Sequence, residues 1–159
     1  MSIQEVIDFF KGLLDKSDNK PEIRLYKIYI AILFDLNNRD FTTEENLLIE
    51  KELDSLNLKE PSEIGKKFFR KKLIRFKKYL KQEHGLITEG YYIEMGIALG
   101  MTFGIGLGGS LGVALGLTDS PSDGISFGLV IGMLIGMVVG RTKDAEAKKQ
   151  GRVLRTKID

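Results

Sequence analysis

The sequence predicts an all-α protein: a small cytosolic helical domain, then a basic amphipathic helix, then a two-helix transmembrane hairpin. Three observations carry this. Glycine recurs every four residues from Gly96 to Gly116, and again from Gly124 to Gly140, inside two apolar runs. Met95 to Leu117 has no ionisable side chain. As a helix that run would be about 34 Å long, enough for a hydrocarbon core of roughly 30 Å. Lys66 to Lys81 holds nine Lys or Arg and no acid, and its apolar residues recur at helical spacing.

The elements follow in order. Residues 1–60 read as the cytosolic helical domain. Ser2 to Glu5 fits a capping box, and Ile3, Val6, Ile7, Phe10, Leu13 and Leu14 form the apolar stripe of a first helix. Pro21 suits the first turn of a second helix, which runs to about Asn37. Its Tyr29–Phe34 run is apolar nearly all round, so it is expected at the buried centre. Thr42 and Glu45 offer a second capping box, opening a third helix with Leu48, Ile49, Leu53 and Leu56 inward.

Residues 61–89 read as a basic juxtamembrane helix and lead-in. Pro61-Ser62-Glu63 opens the helix and Gly85 closes it in the left-handed conformation typical of a helix C-terminus. Ile64, Phe68, Phe69, Leu73, Phe76 and Leu80 share one side. Lys66, Lys67, Arg70, Lys71, Lys72, Arg75, Lys77, Lys78 and Lys81 supply the charge. A basic amphipathic helix beside a span is drawn to anionic headgroups, so these nine residues are the candidate lipid-headgroup site. Lipid is favoured over nucleic acid, the other partner of a basic face, because a span follows ten residues later. Tyr91 and Tyr92 suit the headgroup level, and Glu94 an interfacial carboxylate.

Residues 90–141 read as the hairpin. Gly96, Gly100, Gly104, Gly108, Gly112 and Gly116 form one helix-packing column, and Gly124, Gly128, Gly132, Gly136 and Gly140 the other. The first run has a second small column, Ala98, Thr102, Gly106, Ser110, Ala114 and Thr118. It lies about 200° from the glycines on a helix. Small residues every four positions let membrane helices approach closely, where lipid supplies no hydrophobic drive between helices. The first helix is therefore expected to pack on two sides. The second run offsets its glycines with Ser126, Val130, Leu134 and Val138, so it has one packing side and one lipid side. A stripe of period 4.0 drifts around a helix of period 3.6, so partners following it should cross right-handedly. The near-strict large–small alternation of the first run also suits a strand. Glycine is depleted in strands, however, and two segments cannot close a barrel, which leaves a stacked cross-β assembly as the strand alternative.

Thr118 to Asp123 reads as the turn and residues 142–159 as a basic tail. Residues from Arg141 onward carry seven Lys or Arg against three acids, whereas the turn carries only Asp119 and Asp123. The positive-inside rule then places both termini in the cytoplasm, in the cytoplasmic membrane if the cell is bacterial. No basic n-region with an apolar core opens the chain, so no signal peptide is expected.

The composition argues against several chemistries. The chain has no cysteine and one histidine, His84. There is no paired-histidine motif and no nucleophile–base pair. Gly104-Ile105-Gly106-Leu107-Gly108-Gly109 lacks the preceding strand that a nucleotide-binding loop requires. No enzyme, catalytic residue, cofactor or metal site is expected.

The two four-residue glycine columns resemble glycine-zipper membrane proteins, over about 45 residues. The resemblance implies close helix packing and a homo-oligomer. Holins and other small pore formers are similar in size and hairpin form. The rotor subunit of rotary ATPases is also a glycine-rich hairpin, but it needs a mid-helix carboxylate that Gly124–Gly140 lacks. Separately, residues 35–58, with Asp35, Asp40-Phe41-Thr42, Glu44-Glu45 and Leu56-Asn57-Leu58, resemble the helix–acidic turn–helix of tellurite-resistance-type domains. That resemblance implies acidic positions facing a metal. Here Asn37, Asn38 and Arg39 fill the turn, and Asn46 stands where a calcium loop needs glutamate. From its own residues the turn reads as a solvated acidic loop with a capping box.

Two functions fit. One is a self-assembling membrane protein, channel-like or membrane-permeabilising, with a cytosolic regulatory domain. The other is a non-conducting anchor or scaffold whose residues Met1–Asn57 bind a cytosolic protein.

Overall fold

The computed structural model describes residues 1–59, 65–114, 116 and 120–156. Its helices are α1 (Ile3–Leu14), α2 (Lys20–Asn37), α3 (Thr43–Ser55), α4 (Lys66–His84), α5 (Tyr91–Ala114) and α6 (Pro121–Lys149). Two short strands, β1 (Ile87–Thr88) and β2 (Val153–Leu154), pair in parallel. The chain divides into a first unit, Met1–Thr88 with Val153–Asp159, and a hairpin unit, Glu89–Arg152.

Local signals set most helix ends in the first unit. The Ser2–Glu5 and Thr42–Glu45 capping boxes are both formed, each satisfying amides that a helix start leaves without partners. Pro21 sits in the first turn of α2, which ends at Asn37. Gly85 closes α4 with φ 65°, a conformation that costs a residue with a Cβ more than glycine. The Pro61–Glu63 start expected for that helix, and Ile64 with it, lie outside the described residues; the described helix begins at Lys66, after Gly65.

The Thr42 amide, then the Thr42 hydroxyl, donate to the Glu45 carboxylate and hold its pKa below the usual glutamate value. A depressed carboxyl stabilises the fold above its unfolded pKa, and that contribution is lost as pH falls through the folded one. Stability should therefore fall on acidification through the glutamate range. Glu45→Gln, which keeps the reciprocal bond, should remove that part of the slope in acid denaturation curves.

The core of the first unit is aromatic. Phe10 stacks on Tyr29 with ring centroids 4.1 Å apart, and Phe69 meets Phe10 and Tyr26 edge-on. Tyr29 is fully buried, and its hydroxyl donates to the Phe69 carbonyl at 2.9 Å. Burial pushes the Tyr29 phenol well above its ordinary pKa, so it stays a neutral donor.

Two inward assignments fail. Phe34 closes the apolar run of α2 but is 58% exposed, and Leu48 on α3 is 54% exposed. Ile49, Leu53 and Leu56, assigned inward with Leu48, are fully buried. A run apolar all round still has an outer side, and only the neighbours decide which residues occupy it.

A larger departure concerns α4 and the C-terminal segment. Phe69, Leu73, Phe76 and Leu80 of α4 belong to the same buried cluster as α1, α2 and α3. The amphipathic helix expected beside the membrane has its apolar side inside the protein. Within the expected basic tail, residues 142–154 are also structured. Helix α6 runs on to Lys149, and Leu154 of β2 is buried in the core. Arg39 ties this segment in: its guanidinium binds Asp35 at 2.9 Å and donates to the Val153 carbonyl at 2.9 Å. The acidic turn thus uses Asp35 for an ion pair. Among the described residues no group of three or more His, Asp or Glu is placed to hold a metal.

Candidate functional site in the apolar hairpin

Helices α5 and α6 pack along glycine against glycine. A Cβ on Gly96 would overlap the Gly136 carbonyl oxygen, one on Gly100 that of Gly132, one on Gly104 that of Gly128, and one on Gly108 that of Gly124. The relation is reciprocal for Gly128, Gly132 and Gly136. Gly140 closes the row against the backbone of Tyr92 and Ile93, where a Cβ would stand 2.5 Å from the Tyr92 oxygen. The four-residue spacing on both helices holds this register in opposite chain directions. At each of these contacts the obstacle is backbone, so a rotamer change cannot relieve an added methyl.

The first column departs from this use at its far end. Gly112 is buried. Gly116 lies beyond α5 with φ 65° and open space around it, so it is a chain-direction residue and not a packing one. Helix α6 begins earlier than the expected turn allows. Ser120 caps it, its hydroxyl accepting from the Asp123 amide at 3.3 Å, and Pro121 opens its first turn. Thr118 and Asp119 lie outside the described residues.

The second small column of α5 points away from α6. Ala98, Thr102, Gly106, Ser110 and Ala114 are all exposed, and a Cβ on Gly106 would meet nothing within 4 Å. Thr118, its last expected member, is outside the described residues. The hydroxyls are satisfied within the helix: Thr102 donates to the Ala98 carbonyl and Ser110 to the Gly106 carbonyl, each at 2.9 Å. On α6 the corresponding positions Val130, Leu134 and Val138 are large and exposed.

The sides flanking the seam also differ. Leu99, Phe103 and Leu107 of α5 and Ile131, Ile135 and Val139 of α6 form the walls of an open groove of about 410 Å³ with a glycine floor. On the other side Ile97, Met101, Leu129, Met133 and Met137 are half-buried, and Gly109 lies against the Ile125 side chain.

One residue of this unit escaped the sequence reading. Asp144, on α6, accepts from the Tyr92 and Ile93 amides at 3.0 and 3.1 Å. It therefore caps the start of α5 from the neighbouring helix, where the helix dipole favours an anion. The available clue was register: Asp144 follows Gly140 by one more four-residue step. Asp144→Ala should cost about 0.5–2 kcal/mol, as loss of a helix cap does. Hydrogen exchange should show it first at the Tyr92 and Ile93 amides.

The nine basic residues of α4 stand on the first unit. Lys66, Lys67, Arg70, Lys71, Arg75, Lys78 and Lys81 are exposed, while Lys72 and Lys77 are partly covered. Arg75 binds Glu52 at 3.1 Å and the Ser55 hydroxyl at 3.0 Å. The Lys72 ammonium sits 5.0 Å from the Phe68 ring centre.

The chain matches no protein-family model, no curated protein and no solved structure. Two helices, Tyr91–Ser110 and Pro121–Lys149, are long and apolar enough to cross a membrane.

Proposed function

We propose that this chain is a self-assembling integral membrane protein. Helices α5 and α6 cross the bilayer as a glycine-zipper hairpin, both termini are cytoplasmic, and copies join through the small-residue side of α5. The observation that carries the reading is that α5 has two small sides and α6 occupies only one of them. A soluble core helix would be covered, yet only Gly104 is buried between Tyr91 and Ser110, and 11% of the apolar window of α6 is buried. Lipid covers such surfaces, and small residues are where membrane helices meet.

In the oligomer α5 is the inner helix, and Ala98, Thr102, Gly106 and Ser110 line either a subunit contact or a lumen. The channel-like, permeabilising reading needs the lumen. A second reading, a non-conducting scaffold, is favoured by one observation: the Thr102 and Ser110 hydroxyls donate to their own helix, so neither offers its proton to a water path.

Single cysteines are clean probes because the chain has none. Cysteine at position 110 should crosslink between subunits, and cysteine at 134 should not. Cysteine at 122 should react with an impermeant maleimide from outside the cell. Ser110→Ile should leave the hairpin folded and break the oligomer; an added bulky group at a packed small site costs about 1–3 kcal/mol. Crosslinking at 134 with silence at 110 would reverse the helix order. Dye leak from vesicles carrying the crosslinked oligomer separates the two readings, since only the channel releases dye.

A further inference from the structure

Helix α4 has two sides, and the structure has spent one. Its apolar stripe is inside the core, which leaves a surface that no packing explains. Lys67, Arg70, Lys71, Ile74 and Lys78 fall within about 100° of arc at 100° per residue, and all five are exposed. Ile74 is 61% exposed in the middle of the cations. Arg75, at the edge of this arc, is held by Glu52. No acid occurs on α4 before Glu83.

The chain connections between the two units are short. Two residues, Glu89 and Gly90, separate β1 from α5, and three, Gln150 to Arg152, separate α6 from β2. The first unit is thus tied by two short connectors to the two ends of the hairpin. Short tethers convert weak contacts into effectively intramolecular ones.

We propose that the Lys67–Arg70–Lys71–Lys78 side of α4 docks on the anionic headgroups of the bilayer that the hairpin crosses. It does so by charge, without inserting its apolar stripe. This rests on the membrane reading of the hairpin. The physical distinction from an ordinary interfacial helix is sharp. An inserting helix binds through its apolar side and tolerates salt. A face with its apolar side already buried depends on the surface potential, which decays within a Debye length.

The test uses the full chain, because β2 contributes to the core of the first unit. Ile74→Cys and Leu134→Cys are each spin-labelled and reconstituted into phosphatidylcholine vesicles, with and without 30% phosphatidylglycerol. A water-soluble paramagnetic relaxant and dissolved oxygen report the label's surroundings. The label at 134 should see oxygen and not the water-soluble relaxant in both lipids. The label at 74 should lose access to the water-soluble relaxant only with phosphatidylglycerol, and regain it in 1 M salt. Changing Lys67, Arg70, Lys71 and Lys78 together to Gln should lower the docking equilibrium constant by about six-hundredfold, at roughly fivefold per cation. A label at 134 open to water would overturn the membrane reading itself. A label at 134 in lipid with a label at 74 indifferent to phosphatidylglycerol would overturn the docking alone. So would protection at 74 produced by a single-stranded RNA, or by raising protein density in neutral vesicles.

Discussion

Gly132→Ala is expected to loosen the hairpin, against the direction that helix propensity gives. In an exposed helix interior, alanine is the better residue by about 1 kcal/mol. At Gly132 the added Cβ would overlap the Gly100 carbonyl oxygen and stand 2.9 Å from its carbonyl carbon. Side chains can rotate away from a methyl, but a helix backbone has to move as a body. Separation at this point, midway along the seam, also strains the Gly104–Gly128 and Gly96–Gly136 contacts. Overpacking typically costs about 1–3 kcal/mol, and a backbone obstacle belongs at the upper end. Gly132→Ile should go further and reduce the amount of folded protein. Gly106 is the control, since a Cβ there meets nothing within 4 Å. Gly106→Ala should leave the seam intact. Hydrogen exchange along α5 and α6, in the same micelle, reads both variants. Equal exchange in the two would mean that the glycine contacts do not hold the pair.

Phe69→Ala should unfold the first unit. Phe69 is fully buried and touches the rings of Phe9, Phe10, Tyr26 and Phe68. Its carbonyl also holds the Tyr29 hydroxyl. Truncating a buried phenylalanine costs about 3–5 kcal/mol through lost burial and the cavity left behind. That is a large part of the stability of any small domain. Ile74→Ala, one turn and a little further along α4, removes an exposed side chain and should stay within about 0.5 kcal/mol of the parent. Denaturant titration of the full chain, followed by near-ultraviolet circular dichroism of its tyrosines, measures both. The contrast separates a core helix from a lipid-lying one. If α4 lay on the bilayer, Phe69→Ala would weaken lipid binding and leave the tyrosine environment unchanged.

These two experiments address the parts of the molecule that were legible to different degrees. The capping boxes at Ser2 and Thr42, Pro21 at the start of α2 and Gly85 at the end of α4 act within a few residues. Local chemistry is written in local sequence, and those boundaries could be read directly. The glycine columns could be read because both helices use one spacing. Equal four-residue steps leave few registers in which two stripes meet, and the observed one aligns Gly96 with Gly136 and Gly108 with Gly124.

The status of α4 was not legible. Its charge and apolar pattern suits an interfacial helix as well as the edge of a soluble core, because both environments reward the same amphipathic spacing. Which apolar surface receives the stripe depends on whether α1, α2 and α3 present a complementary one, and they do through Phe10, Tyr26 and Tyr29. The same holds for Phe34, placed inside by its all-round apolar run, and for Leu48: the neighbours left both outside. Asp144 and Arg39 act on partners 51 to 114 residues away. No local pattern announces a carboxylate that caps another helix or a guanidinium that holds a returning strand.

By itself, then, the sequence determined the helical class, most of the helix boundaries in the first unit, the two apolar helices and the spacing that lets their backbones touch. All of these depend on contacts a few residues apart or on one repeated interval. Only the tertiary structure decided that α4 belongs to the core and that the C-terminal segment returns to pair with β1. Those outcomes turn on which surfaces meet, and burial is a property of the partner as much as of the residue being buried.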